Sequence, residues 1–519
     1  MTKKNILRCF LCAALAAAGI FSLPAVDECI AEGDMLKGVW VATVYNIDYP
    51  SSPTTNAKTL MREADEILDE CESLGFNAVF FQVHPSGDAL YKSDIFPYSK
   101  WLTGVQGTAP GGGFDPLEYW ISGAHERGME LHAWINPYRI TTSGSEYYSL
   151  SASNPAKQHP EYIFKYTNGN YYYNPALPEV RELIVDGIAE IADNYEVDGI
   201  HMDDYFYPGS DVNDYADYMK YNYEGLSLED WRRSNCDALV YDIHEALSDR
   251  GVTFGISPGG VWANKTTDPR GSDTRGGESY SEHYADSRTW ALEGWVDYIA
   301  PQLYWEIGNP YSDYATLVEW WCDTVAESDT KLYIGLAAYK AEDAGASSPW
   351  YGGAAIEEEY ALNDMYSMVS GEIYYNYGAV TSNARLKNMV RTRNYTAGSE
   401  NSDGVEVYLN GDLLEFDQKP VIDNGRTLVP MRAIFEALGM EVEWDGGLQR
   451  ITASDWSGTQ ITMYINENKM YVNALPVYLD VPPKVIGSRT MVPVRAISES
   501  FGADVEWDGY TSSVYIWTE

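Results

Sequence analysis

The chain has 519 residues, 45% hydrophobic and 22% charged, which is too long for one ordinary domain and reads as a folded, soluble protein. Its formal charge of −42 excludes nucleic acid and anionic membrane surfaces as partners, because a polyanion would repel both. Aromatic residues reach 14%, with 42 Tyr and 16 Trp, whose flat rings and polar edges suit sugar contacts as well as ordinary cores.

Residues 1–31 read as an export signal. Lys3, Lys4 and Arg8 accompany an apolar run from Ile6 to Leu23, and cleavage is expected near Ala25 or Ala31. The polar Val26-Asp27-Glu28 before Cys29 speaks against a lipid anchor. No later stretch is apolar enough over a sufficient length to insert in a membrane. The chain is therefore expected to be secreted, either extracellular or associated with the cell wall. Cys71, Cys236 and Cys322 are too few and too widely spaced for a disulfide framework or a ligand set.

From residue 34 to 395 short apolar strands alternate with helical stretches. The strands are Gly38–Tyr45, Asn77–His84, Glu130–Asn136, Gly199–Asp203, Thr253–Ser257, Asp297–Tyr304, Lys331–Leu336 and Gly371–Asn376. Helical patterns stand between them, such as Ala57–Leu74, Pro116–Gly128 and Pro178–Tyr195. Eight strand-then-helix units predict an α/β protein, a (β/α)8 TIM barrel rather than an open sheet.

A polar linker, 396–404, leads to a C-terminal α+β module at 405–519. Arg426-Thr-Leu-Val-Pro-Met-Arg-Ala-Ile-Phe-Glu-Ala-Leu-Gly439 recurs as Arg489-Thr-Met-Val-Pro-Val-Arg-Ala-Ile-Ser-Glu-Ser-Phe-Gly502, and Glu-Trp-Asp closes both copies at Asp445 and Asp508. The constant offset of 63 residues marks an internal repeat of strand, short helix and strand. No catalytic or metal-ligating cluster stands in it.

Barrel active sites sit at the C-terminal ends of the strands, so chemistry is sought there. Alternation along a strand puts Gln82 and His84 on one face of the second, and Trp134 and Asn136 on one face of the third, with Arg139 just beyond. On the fourth, His201 and Asp203 face the lumen and Asp204 and Tyr205 stand at the lip. On the sixth, Gln302, Tyr304 and Glu306 align. Trp134 is expected to stack on a sugar ring. Glycoside hydrolysis needs two carboxyl groups, one protonated and one ionised, and adjacent acids help separate those states. Asp203, Asp204 and Glu306 are the catalytic candidates, with Asp204 carrying the catalytic charge, Asp203 positioning it and Glu306 donating the proton. Asp88 is a second-choice acid and a candidate for substrate contact. No His-x-His or His-Glu-x-x-His spacing supports a metal, and no cofactor is expected.

Phe80-Phe-Gln-Val-His-Pro-Ser-Gly-Asp-Ala-Leu-Tyr91, His132-Ala-Trp-Ile-Asn-Pro-Tyr-Arg139, Asp198-Gly-Ile-His-Met-Asp-Asp-Tyr-Phe-Tyr-Pro208 and Tyr298-Ile-Ala-Pro-Gln-Leu-Tyr-Trp305 resemble the glycosyl hydrolase-like 10 family. That resemblance implies an exported barrel enzyme, and one branch of the family cleaves peptide-free glycan strands of peptidoglycan. It carries over the motif residues Asp203, Asp204, Tyr205, Asn136, Arg139, Gln302 and Tyr304. It departs at His84, where the family commonly has Arg. The repeat resembles the copper amine oxidase N-terminal-like (stalk) domain, which carries no copper chemistry and rides beside wall-active domains in secreted bacterial enzymes. The reading is a secreted glycoside hydrolase acting on cell-wall or related polysaccharide, held at the bacterial wall by its C-terminal module. The alternatives are a non-catalytic carbohydrate-binding surface protein and a metal-dependent polysaccharide deacetylase.

Overall fold

Eight parallel strands close into a barrel in the computed structural model, which describes residues 35–396 apart from residue 343, and most of 405–518. The export-signal residues 1–31 and nearly all of the linker, 397–404, lie outside the described residues. The barrel strands are β1 (Leu36–Val41), β2 (Ala78–His84), β3 (Glu130–Ile135), β4 (Gly199–Met202), β5 (Thr253–Ile256), β6 (Tyr298–Ile299), β7 (Lys331–Leu336) and β8 (Val369–Tyr374). Each pairs with its sequence neighbours, and β1 with β8 closes the ring. Strands buried on both faces need apolar residues throughout, and Ala78–His84 is buried at every position.

Helices follow the strands and cover them. Their starts are written locally: Asn56 accepts from the Lys58 amide, Asp115 from the Leu117 amide ahead of Pro116, and Asp313 from the Thr316 amide. A small hairpin, Ile163–Lys165 with Tyr171–Tyr173, interrupts the connection from β3 to the helix Pro178–Asn194.

The lumen is packed with Leu36, Trp40, Phe80, Trp134, Tyr298, Tyr333 and Ile373. Large rings fit there because β4 and β5 offer glycine. A Cβ on Gly199 would lie 2.2 Å from His132 Nδ1, and one on Gly255 would lie 2.1 Å from the Tyr298 ring. A polar chain threads this core with every proton assigned by its partners. Trp40 Nε1–H donates to His201 Nε2 at 3.1 Å, so that nitrogen is unprotonated and His201 Nδ1–H donates to the Tyr298 hydroxyl at 3.0 Å. Tyr298 then donates to His132 Nδ1 at 3.2 Å, and His132 Nε2–H meets Glu130 at 3.1 Å.

Two strands stop well before their expected ends, by four residues or more. β1 ends at Val41 rather than Tyr45 because side chains capture the following amides: Asp48 accepts from Ala42 at 2.7 Å, and Gln82 Oε1 accepts from Thr43 and Val44 at 2.9 Å each. β6 ends at Ile299 rather than Tyr304, since Pro301 has no N–H for the ladder; only Gln302 rejoins it, bridging Gly259 and Gly335.

In the C-terminal module the repeat becomes a local two-fold. Val429 and Val492, equivalent residues 63 apart, pair directly in an antiparallel ladder. The helices Met431–Ala437 and Val494–Ser500 share one core, built on Ile434, Phe435, Ile497 and neighbouring strand residues. This α+β form with β-rich sheets is the one the repeat predicts.

Candidate active site

β4 carries its chain out of the core directly into two carboxylates. Asp203 is buried, and three donors hold it: Trp134 Nε1–H at 3.1 Å and Asn136 Nδ2–H at 2.9 Å on Oδ2, and the Tyr205 amide at 3.2 Å on Oδ1. Burial and the neighbouring Asp204 charge push its carboxyl up to about 6, against the pull of Arg139, Asn136 and the Tyr205 amide. Asp204 is half-buried at the mouth. Burial raises its carboxyl too, opposed by His283, a backbone amide, Gln302 and Arg139.

Around this pair the remaining side chains are fixed by the loops after the strands. Arg139 donates from Nε and Nη2 to the Pro85 carbonyl at 3.0 and 2.8 Å, and its guanidinium lies 5.0 Å over the Tyr205 ring. Tyr205 is 50% exposed and presents its other face to solvent. Gln302 Nε2 donates to the Ser257 carbonyl at 2.9 Å, tying the β6 end to the β5 end. Tyr304 is half-buried with its ring 6.2 Å from that of Tyr375.

Several expected positions differ. Trp134 is only 6% exposed, and its N–H is committed to Asp203, so it forms the floor of the site and Tyr205 offers the open aromatic face. His84 does not share a face with Gln82. A bulge between them sets His84 opposite Ile135 instead of a lumen residue, and the ring packs outside the barrel against Phe96, Ile184 and Gly187. Burial holds it neutral, its pKa lowered to about 3. Gln82 is inside but serves the β1 turn described above. His201 has both ring nitrogens occupied in the lumen chain and is fully buried beneath the site.

Glu306 lies past the broken β6 strand, so alternation along a strand no longer aligns it with Gln302. It accepts from Asn309 at 3.0 Å. Burial would raise its carboxyl, but a backbone amide, Asn309, Trp350 and the Lys340 charge outweigh it and hold the group below the ordinary glutamate range. It is an ionised carboxylate, ill-suited to donating a proton. Among the described residues it forms no hydrogen bond with Asp203 or Asp204. Asp88 is buried beside a separate cavity and accepts from Gln106 at 3.0 Å.

Two site residues escaped the strand-end reading. His283, deep in the loop after β5, donates from Nδ1 to the Tyr207 carbonyl at 2.8 Å, and its charge favours ionised Asp204. No strand position flags it; its one signal is being one of only 7 histidines, set in a long loop at this end of the barrel. Asp48 accepts from Ala42, Asn376 and the Gly378 amide, each at 2.7 to 2.8 Å, and so clasps β1 to the loop after β8.

The family described as glycosyl hydrolase-like 10 matches residues 35–352, and the copper amine oxidase N-terminal domain matches residues 408–516. The chain is 40% identical over 389 residues to glycosyl hydrolase YngK of Bacillus subtilis (strain 168), covering 73% of this chain and 75% of that protein. It is 40% identical over 364 residues to glycosyl hydrolase DigH of Escherichia coli (strain K12), covering 66% of this chain and 82% of that one. Among solved structures, the glycoside hydrolase domain of PgaB (BpsB) from Bordetella bronchiseptica aligns at 13% identity and a TM-score of 0.44, over 69% of this chain and 98% of that domain. The chain belongs to the glycosyl hydrolase-like 10 family and is a glycoside hydrolase.

Proposed function

We propose that this enzyme is exported and cleaves glycosidic bonds within peptidoglycan-type glycan strands, with its C-terminal module keeping it at the cell wall. The observation that carries the chemistry is the unequal pair. Asp203 has its oxygens taken by Trp134, Asn136 and the Tyr205 amide, while Asp204 remains at the mouth. Asp204, its carboxyl raised by burial, is the group that protonates the leaving oxygen. Asp203 is a positioning residue, fixed by the three donors on its oxygens. Glu306 is the ionised carboxylate available from the β6 loop.

A glycan strand suits the surface around the mouth. Tyr45, Tyr148, Tyr205, Tyr339 and Tyr351 are exposed and all stand in the loops and short helical turns that follow barrel strands. The test is incubation of the purified chain with peptide-free glycan strands, with and without chelator. New reducing ends that survive chelator support this reading. Binding without products would make the chain a carbohydrate-binding protein, and chelator-sensitive acetate release would make it a deacetylase.

A further inference from the structure

A hollow separate from the carboxylate pair measures about 160 Å³, many times the roughly 10–15 Å³ that holds one water. It opens among the loops after β2 and β3. Its lining mixes polar side chains, Ser86, Asp88 and Gln106, with aliphatic ones, Val105, Ile140 and Leu150. Ser86 and Asp88 are 3% and 1% exposed; Ser86 Oγ has no hydrogen-bond partner, and Asp88 Oδ1 makes no bond of ordinary geometry, although the Ser99 hydroxyl and the Lys100 amide lie close enough to the carboxylate to lower its pKa. Buried polar atoms left open in this way are uncommon and point to something that completes them.

The hollow is coupled to the catalytic centre by short links. Ser86 directly follows Pro85, whose carbonyl fixes Arg139, and Arg139 covers the Tyr205 ring next to Asp204. Lys100 and Glu146 at the rim pair with each other, so the hollow presents no free charge there.

We propose that this hollow receives the N-acyl group of a hexosamine in the bound strand, an inference that rests on the function proposed above. The amide N–H donates to Asp88, the carbonyl accepts from the Ser86 hydroxyl, and the methyl packs on Val105, Ile140 and Leu150. A free amine would keep only Asp88, leaving the Ser86 hydroxyl without a carbonyl and the aliphatic residues without a methyl, and a carboxylate would face Asp88. A hydroxymethyl arm would leave most of the volume empty.

The experiment compares kcat/KM on N-acetylated glycan strands and on the same strands after chemical N-deacetylation, for wild type, Ser86→Ala and Val105→Trp. Wild type should favour the N-acetylated strand by at least about tenfold. Ser86→Ala removes a hydroxyl with no protein partner, so its melting temperature should hold while the preference falls several-fold. Val105→Trp, at an exposed rim position, should block the hollow and reduce the preference further. A wild type that cleaves both strands with a ratio that neither variant moves overturns the hollow's assignment and leaves the function reading standing. A wild type that cleaves neither overturns both.

Discussion

At the scale of single residues the two aspartates divide the work by burial. Asp204→Asn removes the proposed proton donor and should cut turnover by at least about a hundredfold on glycan strands. Asp203→Asn should do the same through position and charge. Its stability has a distinct signature. The folded-state carboxyl titrates near 6 and the unfolded one near its ordinary value, about 4. Between those values the folded state holds the extra proton, so wild-type stability falls as pH rises through that window. The melting temperature of Asp203→Asn relative to wild type should therefore improve between pH 4 and 7. A constant difference would mean that Asp203 is not raised. Trp134→Phe keeps the ring and loses the donor to Asp203, so the acid limb of the kcat/KM profile should move above about 6 while KM changes little. If instead KM rises and the limb stays, the indole is a sugar platform.

At the scale of elements, small departures from regularity decide which side chains reach the site. The bulge in β2 carries His84 out of the lumen and under the helix Pro178–Asn194, where Phe96 and Gly187 hold it. His84→Leu keeps an apolar filler there and should leave kcat/KM near wild type, at a stability loss below about 1.5 kcal/mol. A large loss of turnover would return His84 to the site. Glycine in β5 matters for the opposite reason, making room inside. Gly255→Ala sets a methyl 2.1 Å from the Tyr298 ring, which anchors the His132–His201 chain. Overpacking of this kind commonly costs about 1–3 kcal/mol, and a chemical denaturation midpoint lowered to match is expected.

At the scale of the whole molecule the barrel and the C-terminal module have separate cores, one built around residues such as Phe81, Trp120 and Ile200 and the other around Ile434, Phe435 and Ile497. A chain ending at Thr396 should fold and hydrolyse soluble glycan at the full-length rate, while binding to insoluble wall material falls. A folded but inactive truncation would show that the module takes part in the chemistry.

The sequence alone determined the barrel, because buried parallel strands need apolar runs and each run was followed by a helical pattern. It determined the repeat, because identical spacing needs no tertiary information. It also placed Asp203, Asp204, Asn136 and Arg139 together, since alternation holds wherever a strand is regular. It failed where regularity breaks. The β2 bulge moved His84, Pro301 cut β6 short and unaligned Glu306, and side chains captured the amides that would have extended β1. Only the tertiary structure decided which donors hold Asp203 and that burial raises both carboxyls, because the groups around a carboxylate come from β3, β4 and loops far apart in the chain. The same holds for His283, which reaches Asp204 from a loop that no periodicity describes.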